Sequence, residues 1–266
     1  MKIWYQSLFD TGRLPAYFDG IRKRAAAIAR PGTEVHLHGM PAGIYGTRTP
    51  AEVVIYPYIA ALHAQVILDH ALRAQAEGYD VFALGSVQDP AIDEARSLVD
   101  IPVVGYGEAA MHFACLLGSR FAVIAFGERF DQMLDLRVKG LGLAERALPT
   151  LLMERTGFAD VGKGLDDATA LIESFTSTAR RAIALGAEVI IPGQLYLSEA
   201  IARAGLTRID EAPIVDGLAA TVKMAEAMSD LKQLGISVTR RGYTHARAPK
   251  DVLDQARAFH KRKDPQ

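Results

Sequence analysis

The chain has one cysteine, Cys115, among its 266 residues. A single thiol cannot close a disulfide within the chain, and it excludes a cysteine-rich zinc site. No stretch approaches the roughly 18 consecutive apolar residues that read as a membrane span. The opening MKIWYQSLFD lacks the long apolar run of a secretory signal, so a cytoplasmic protein is expected. An excess of one charge is also missing: 30 Lys and Arg face 31 Asp and Glu. That balance leaves no electrostatic footprint for nucleic acid or an anionic membrane. The basic stretch HKRK at 260–263 reads as a solvated helix end. Nucleotide-type glycine loops are absent too. Gly105-Tyr106-Gly107 is followed by Glu108 and Ala109, without the third glycine. His36 and His38 alternate on one strand and share a face, but spacing identifies no further ligand for a metal. His63 and His70 read as structural. No cofactor is expected.

What is present is a soluble, globular composition, 50% apolar and 23% charged, in a chain long enough for a substantial core. Short apolar runs alternate with helical patterns. Lys2–Gln6, Glu34–His38, Val81–Leu84 and Pro102–Val104 read as strands. Leu14–Ala29, Ala51–Glu77, Ala91–Val99 and Glu108–Leu117 read as helices. The pattern then restarts. Arg120–Phe126, Ala147–Leu152, Val189–Ile191 and Pro213–Val215 read as strands. Helices are expected over Phe130–Lys139, Asp166–Leu185, Ser198–Ala204, Leu218–Leu234 and Lys250–Arg262. This alternation implies mainly parallel sheets flanked by helices, an α/β fold.

The two halves also match each other. Gly78-Tyr79-Asp80-Val81 corresponds to Gly186-Ala187-Glu188-Val189, and Gly85-Ser86 to Gly193-Gln194. Asp100-Ile101-Pro102-Val103-Val104 corresponds to Glu211-Ala212-Pro213-Ile214-Val215 at nearly the same offset. Two matches in one order read as an internal duplication. Two pseudo-symmetric lobes are expected, residues 1–118 and 119–235, followed by an extension, 236–266, with a helix. Ligands of open α/β sheets bind outside the carboxyl ends of the strands. Ser86 and Gln194 are therefore expected at equivalent places across one cleft, acting on a small-molecule substrate.

IWYQS, SVQDPAIDEAR, DIPVVGYGEAAMHFA, RFAVIAF and GAEVIIPGQ together resemble the Asp/Glu racemase superfamily, in its hydantoin racemase-like branch. The resemblance covers roughly residues 1–235, and DIPVVG-x-GEAA is its most specific part. It implies two similar α/β lobes and cofactor-independent proton transfer between two cysteines, one per lobe. The family pattern Cys-x-x-Asp-Pro falls on Ser86-Val87-Gln88-Asp89-Pro90, and the second cysteine falls on Gln194. Both thiols are absent. A serine hydroxyl does not readily give a free base near neutral pH, and a glutamine amide has no acid–base chemistry. Cys115 lies on an apolar helix face and reads as structural.

Other groups are candidates for the chemistry. Glu108 and His112 lie four residues apart on one helix face. Either could activate Ser86 for hydrolysis of a cyclic amide. Alternatively Ser86 only hydrogen-bonds the ligand, Glu108 caps its helix and His112 packs. Gln194 is expected to bind or to stabilise an oxyanion, with Tyr196 beside it. The resemblance implies substrate-carboxylate binding at the turns Gln6-Ser7 and Phe126-Gly127, with Ala125-Phe126 replacing the usual hydroxyl-bearing pair. That replacement makes the pocket wall more apolar. In the loop MPAGIYGTRTP, Tyr45 and Arg48 are candidates to close over the cleft. Three readings stay open: a racemase-type enzyme on a small carbonyl, carboxylate or cyclic amide; a hydrolase or lyase using Ser86; and a non-catalytic binder. A homo-oligomer is expected from apolar outer helices.

Overall fold

The computed structural model describes residues 1–154 and 168–261. In chain order the first half holds β1 (Lys2–Gln6), α1 (Pro15–Ile28), β2 (Glu34–His38), α2 (Pro50–Val53), α3 (Pro57–Ala76), β3 (Val81–Leu84), α4 (Ile92–Leu98), β4 (Val103–Gly105) and α5 (Tyr106–Leu117). The second half holds β5 (Phe121–Ala125), α6 (Phe130–Gly140), β6 (Leu151–Leu152), α7 (Thr169–Ala184), β7 (Val189–Pro192), α8 (Leu195–Arg203), β8 (Arg208–Ile209), β9 (Ala212–Pro213) and α9 (Gly217–Gln233), and α10 (Lys250–Lys261) closes the described chain.

The first sheet has the order β2-β1-β3-β4, with every pairing parallel. The second has the order β6-β5-β7, also parallel. Ile214 adds a parallel bridge to Ile190, on the side of β7 that matches the place of β4 beside β3. The two sheets thus share one strand order. The central strands β3, β5 and β7 are buried along their whole length, because helices cover both faces.

One hydrophobic core runs through both sheets, from Ile3 and Tyr5 to Val123 and Val189. A second, smaller cluster around Trp4, Phe82 and Leu84 lies on the other face of the first sheet. Helix α9, late in the chain, packs on β3 and β4 and along α5, while α5 packs on β7. The division expected at 118/119 is therefore a division of the sequence and not of the core. Arg24 of α1 ties the halves together, pairing with Glu199 of α8 and with Asp216, which caps α9.

Several expected elements shift. The single helix Ala51–Glu77 is two helices, because Pro57 can start a helix but cannot donate within one. Helix α8 begins at Leu195, directly after Gln194, three residues before the expected Ser198. The strand expected over Pro213–Val215 is a short antiparallel pairing of β8 with β9 plus the Ile214 bridge. Residues 166 and 167 of one expected helix, and 262 and 263 of HKRK, lie outside the described residues. Among those described, no helix is long and apolar enough to cross a membrane.

Candidate active site

Strands β3 and β7 are each followed by a glycine set against the neighbouring strand. A Cβ on Gly85 would lie 2.4 Å from the Tyr5 ring, and one on Gly193 would lie 3.0 Å from the Ile124 carbonyl oxygen. Both glycines donate to the adjacent strand, Gly85 to Gln6 O at 2.8 Å and Gly193 to Ile124 O at 2.7 Å. The next residues, Ser86 and Gln194, line one small cleft of about 80 Å³. Its walls are mostly apolar: Leu8 and Phe9 after β1, Pro50 of α2 and Val54 just after it, and Phe126, Phe130 and Leu195 from the second half. Among the described lining residues there is no Lys, Arg, His, Asp, Glu or Cys.

Ser86 is buried, and its hydroxyl donates to Gln88 Oε1 at 3.1 Å. Its carbonyl accepts from the Asp89 N–H at 3.0 Å, which closes a tight turn. Asp89 holds that turn down. It has a positive φ of 46° and is fully enclosed. Its carboxylate accepts from Gly107 N at 2.9 Å and Glu108 N at 2.7 Å, capping α5. It also accepts from Arg137 Nε at 3.1 Å and Nη2 at 3.0 Å, so α6 of the second half is pinned beneath the Ser86 turn. Burial pushes the Asp89 carboxyl up to about 6, against the pull of Arg137 and the two backbone donors.

Gln194 is engaged across the cleft floor. Its Nε2 donates to Phe126 O at 2.7 Å, and its Oε1 lies 3.4 Å from the Phe126 N–H. The amide thus sits on the turn through which the resemblance implies carboxylate binding. Tyr196 lines the cleft, with its ring centroid 5.6 Å from that of Tyr17. Beneath the cleft, burial holds the Tyr5 and Tyr17 hydroxyls well above the usual phenol range, so they are neutral and cannot act as bases.

The remaining candidates are placed elsewhere. Glu108 and His112 share a helix face as expected, but they line a separate cavity and not the cleft. Glu108 is paired with Arg96 Nη2 at 2.7 Å. No Ser86–His112 or Ser86–Glu108 couple forms at the cleft, because α5 turns that face toward α9 and the C-terminal extension. Gln6 points into the outer layer, where it accepts from Trp4 Nε1 at 3.0 Å and contacts His70 Nδ1 at 2.8 Å. Strand alternation decides this: Tyr5 faces the central core, so Gln6 faces away. The Ser7 hydroxyl accepts from Phe9 N at 3.0 Å within its own turn. Tyr45 is buried edge-on to His63, and Arg48 is exposed with its carbonyl held by Arg13 at 2.7 Å. Gly127, with φ 97°, makes the turn after Phe126 without lining the cleft.

The loop before α2 does reach the cleft, one residue beyond Arg48. Thr49, Pro50 and Ala51 form part of the wall. Thr49 and Glu52 make a capping box, with Glu52 Oε2 accepting from Thr49 N at 2.7 Å. Thr-x-x-Glu is a signal legible in sequence that fixes where this wall begins. Gln88 and Phe130 carry no comparable signal.

The fold and the paired strand ends define a two-sheet α/β scaffold with Ser86 and Gln194 in one cleft. The chain belongs to the Asp/Glu/hydantoin racemase family: the family model described as Asp/Glu/Hydantoin racemase matches residues 15–225. A hydantoin racemase of Pseudomonas sp. (strain NS671) is 29% identical over 213 residues, 80% of either chain. In structure, the allantoin racemase from Klebsiella pneumoniae is similar with a TM-score of 0.74 and 26% identity, over 94% of both chains. The allantoin racemase from Pseudomonas fluorescens gives 0.73 and 25% identity, over 94% of this chain and 98% of that one.

Proposed function

We propose that the protein is an isomerase-type enzyme acting on a small, uncharged cyclic amide, at the carbon beside its carbonyl, without thiol bases. The observation that supports this most is that Ser86 and Gln194, at the ends of matching strands, line one cleft. The relatives named as hydantoin and allantoin racemases are similar over most of their length. An apolar wall without a cation suits a neutral ring better than a free carboxylate, which would lose hydration without gaining a counter-charge.

With no ionisable base in the wall apart from the Tyr196 phenol, the α-proton passes to water or hydroxide admitted to the cleft. The C–H electron pair moves onto the carbonyl oxygen as an enolate. The Ser86 hydroxyl, released from Gln88, donates to that oxygen. A proton then returns from water to either face, which racemises the centre. The test is incubation of one enantiomer of a 5-substituted hydantoin in D₂O. Deuterium should enter C5 faster than in enzyme-free buffer, and Ser86→Ala should reduce the gain. A rate equal to buffer for a panel of hydantoins and imides would remove the proposal.

A second reading, binding without turnover, is favoured by the same lack of a carboxylate, imidazole or thiol in the wall. It predicts thermal stabilisation by cyclic amides together with no deuterium uptake.

A further inference from the structure

A second cavity of about 330 Å³ lies beside the edge strand β4 and shares no lining residue with the cleft. That volume is within the range of small-molecule sites. One wall is α5, another is α9, and a third is the segment after α9, through Ile236, Val238 and His245. This third wall lies beyond the region matched by the family model, which ends at residue 225. It is firmly fixed. Arg240 donates to Arg96 O at 2.5 Å and to Val99 O at 2.6 Å, and pairs with Asp100 at 3.0 Å. The His245 Nε2 lies 3.3 Å from Asp93 Oδ1. The cavity is therefore formed before any ligand arrives.

Its chemistry is specific. Val104, Met224 and Met228 give it an apolar, adaptable floor. Six polar residues line it: Arg96, Asp100, Ser237 and His245 around the edge, and Glu108 and His112, which stand one helical turn apart on α5. Among the described residues the His112 imidazole has no hydrogen-bond or ion-pair partner. Arg96 and Arg137 both approach Glu108 through Oε2, at 2.7 and 3.6 Å, which leaves Oε1 able to accept. An acceptor beside an imidazole that can donate matches an amide edge, with its N–H beside its C=O. The charged lining groups are already paired, Glu108 with Arg96 and Asp100 with Arg240, so the site favours an uncharged ligand.

We propose that this cavity is a second binding site, for a small apolar molecule carrying one amide. The amide N–H donates to Glu108, its carbonyl accepts from His112, and its apolar body packs on Met224 and Met228.

The probe is phenylacetamide, titrated calorimetrically into the full chain, with phenylacetate as the control. Variants are Met228→Trp, which fills the cavity, His112→Phe, which removes the donor, and Ser86→Phe, which fills the cleft; circular dichroism confirms folding. Phenylacetamide should bind the wild type and Ser86→Phe alike. It should bind Met228→Trp and His112→Phe at least about tenfold more weakly, and phenylacetate should lose about as much against the Glu108 carboxylate. Should Met228→Trp fail to fold, Ile236→Trp at the exposed rim takes its place. The proposal is overturned if the wild type shows no saturable binding up to about 10 mM. It is equally overturned if Ser86→Phe abolishes binding while the cavity variants keep it, or if phenylacetate binds as well as the amide.

Discussion

The side-chain amide of Gln194 lies on the backbone of Phe126, donating to its carbonyl at 2.7 Å and facing its N–H at 3.4 Å. This contact locks the start of α8 to the turn after β5. Gln194→Ala should cost about 1–2 kcal/mol in urea denaturation, the scale of a buried backbone group losing its partner. Gln194→Glu should cost more, because a carboxylate would then face the Phe126 carbonyl oxygen.

Restoring thiols tests what the two strand ends are for. The double variant Ser86→Cys/Gln194→Cys sets two groups with ordinary pKa near 8.5 in one cleft. Deuterium uptake at C5 of a hydantoin should rise at least about tenfold over the wild type, with a rate that climbs from pH 7 to 9 as thiolate forms. An unchanged rate would mean that the two ends do not address one carbon.

Asp89 predicts a pH dependence of stability. Its carboxyl is pushed up to about 6 in the folded chain by burial, from 3.8. A raised carboxyl pKa means that the folded state holds the proton longer. Its contribution is thus greatest at low pH and declines as pH rises from about 4 to 6, by about 3 kcal/mol at most. The difference in stability between wild type and Asp89→Asn, measured in urea from pH 4 to 7, should carry this slope. A flat difference would refute it.

Trp4, the single tryptophan, stacks on His38 with ring centroids 3.4 Å apart and 6° between planes. Burial, and then the Arg73 charge, lower His38 to about 4. Trp4 fluorescence should stay level from pH 8 to 5 and fall through a midpoint near 4, as the charged imidazole quenches it. His38→Gln should remove that step. Because the folded pKa is depressed, any stability that His38 contributes is present above pH 6.5 and lost as pH falls toward 4.

Arg24 holds the two halves together through Glu199, which is 1% exposed, and Asp216. Arg24→Met should destabilise by about 3 kcal/mol, since it leaves buried carboxylate short of a partner; Arg203, 2.8 Å from Glu199, keeps the loss from being larger.

Which features were legible in sequence follows from how local each one is. The strands Val81–Leu84 and Val189–Pro192 are short apolar runs, and burial on both faces leaves them no other pattern to show. The glycines after them are fixed by close approach to the next strand, and the residues that follow, Ser86 and Gln194, line one cleft. Gln6 reads from sequence as a cleft residue but faces Trp4 and His70, because a strand end does not reveal which face its last residue takes until the sheet is packed. In the sequence, Glu108 and His112 read as cleft residues because their helix begins near a strand end. Only the packing of α9 and the extension against α5 shows that this face lines a different cavity.

The sequence by itself determined the alternation of elements, the matching strand-Gly segments and the family. Each of these is carried by neighbouring residues or by direct correspondence between segments. The tertiary structure decided the rest: the exchange of α5 and α9 between sheets, the Asp89–Arg137 clamp under Ser86, and the engagement of Gln194 by Phe126. Those contacts join residues 48, 68 and more positions apart in the chain. Their geometry is set by how two amphipathic layers close over one core, and no local pattern encodes it.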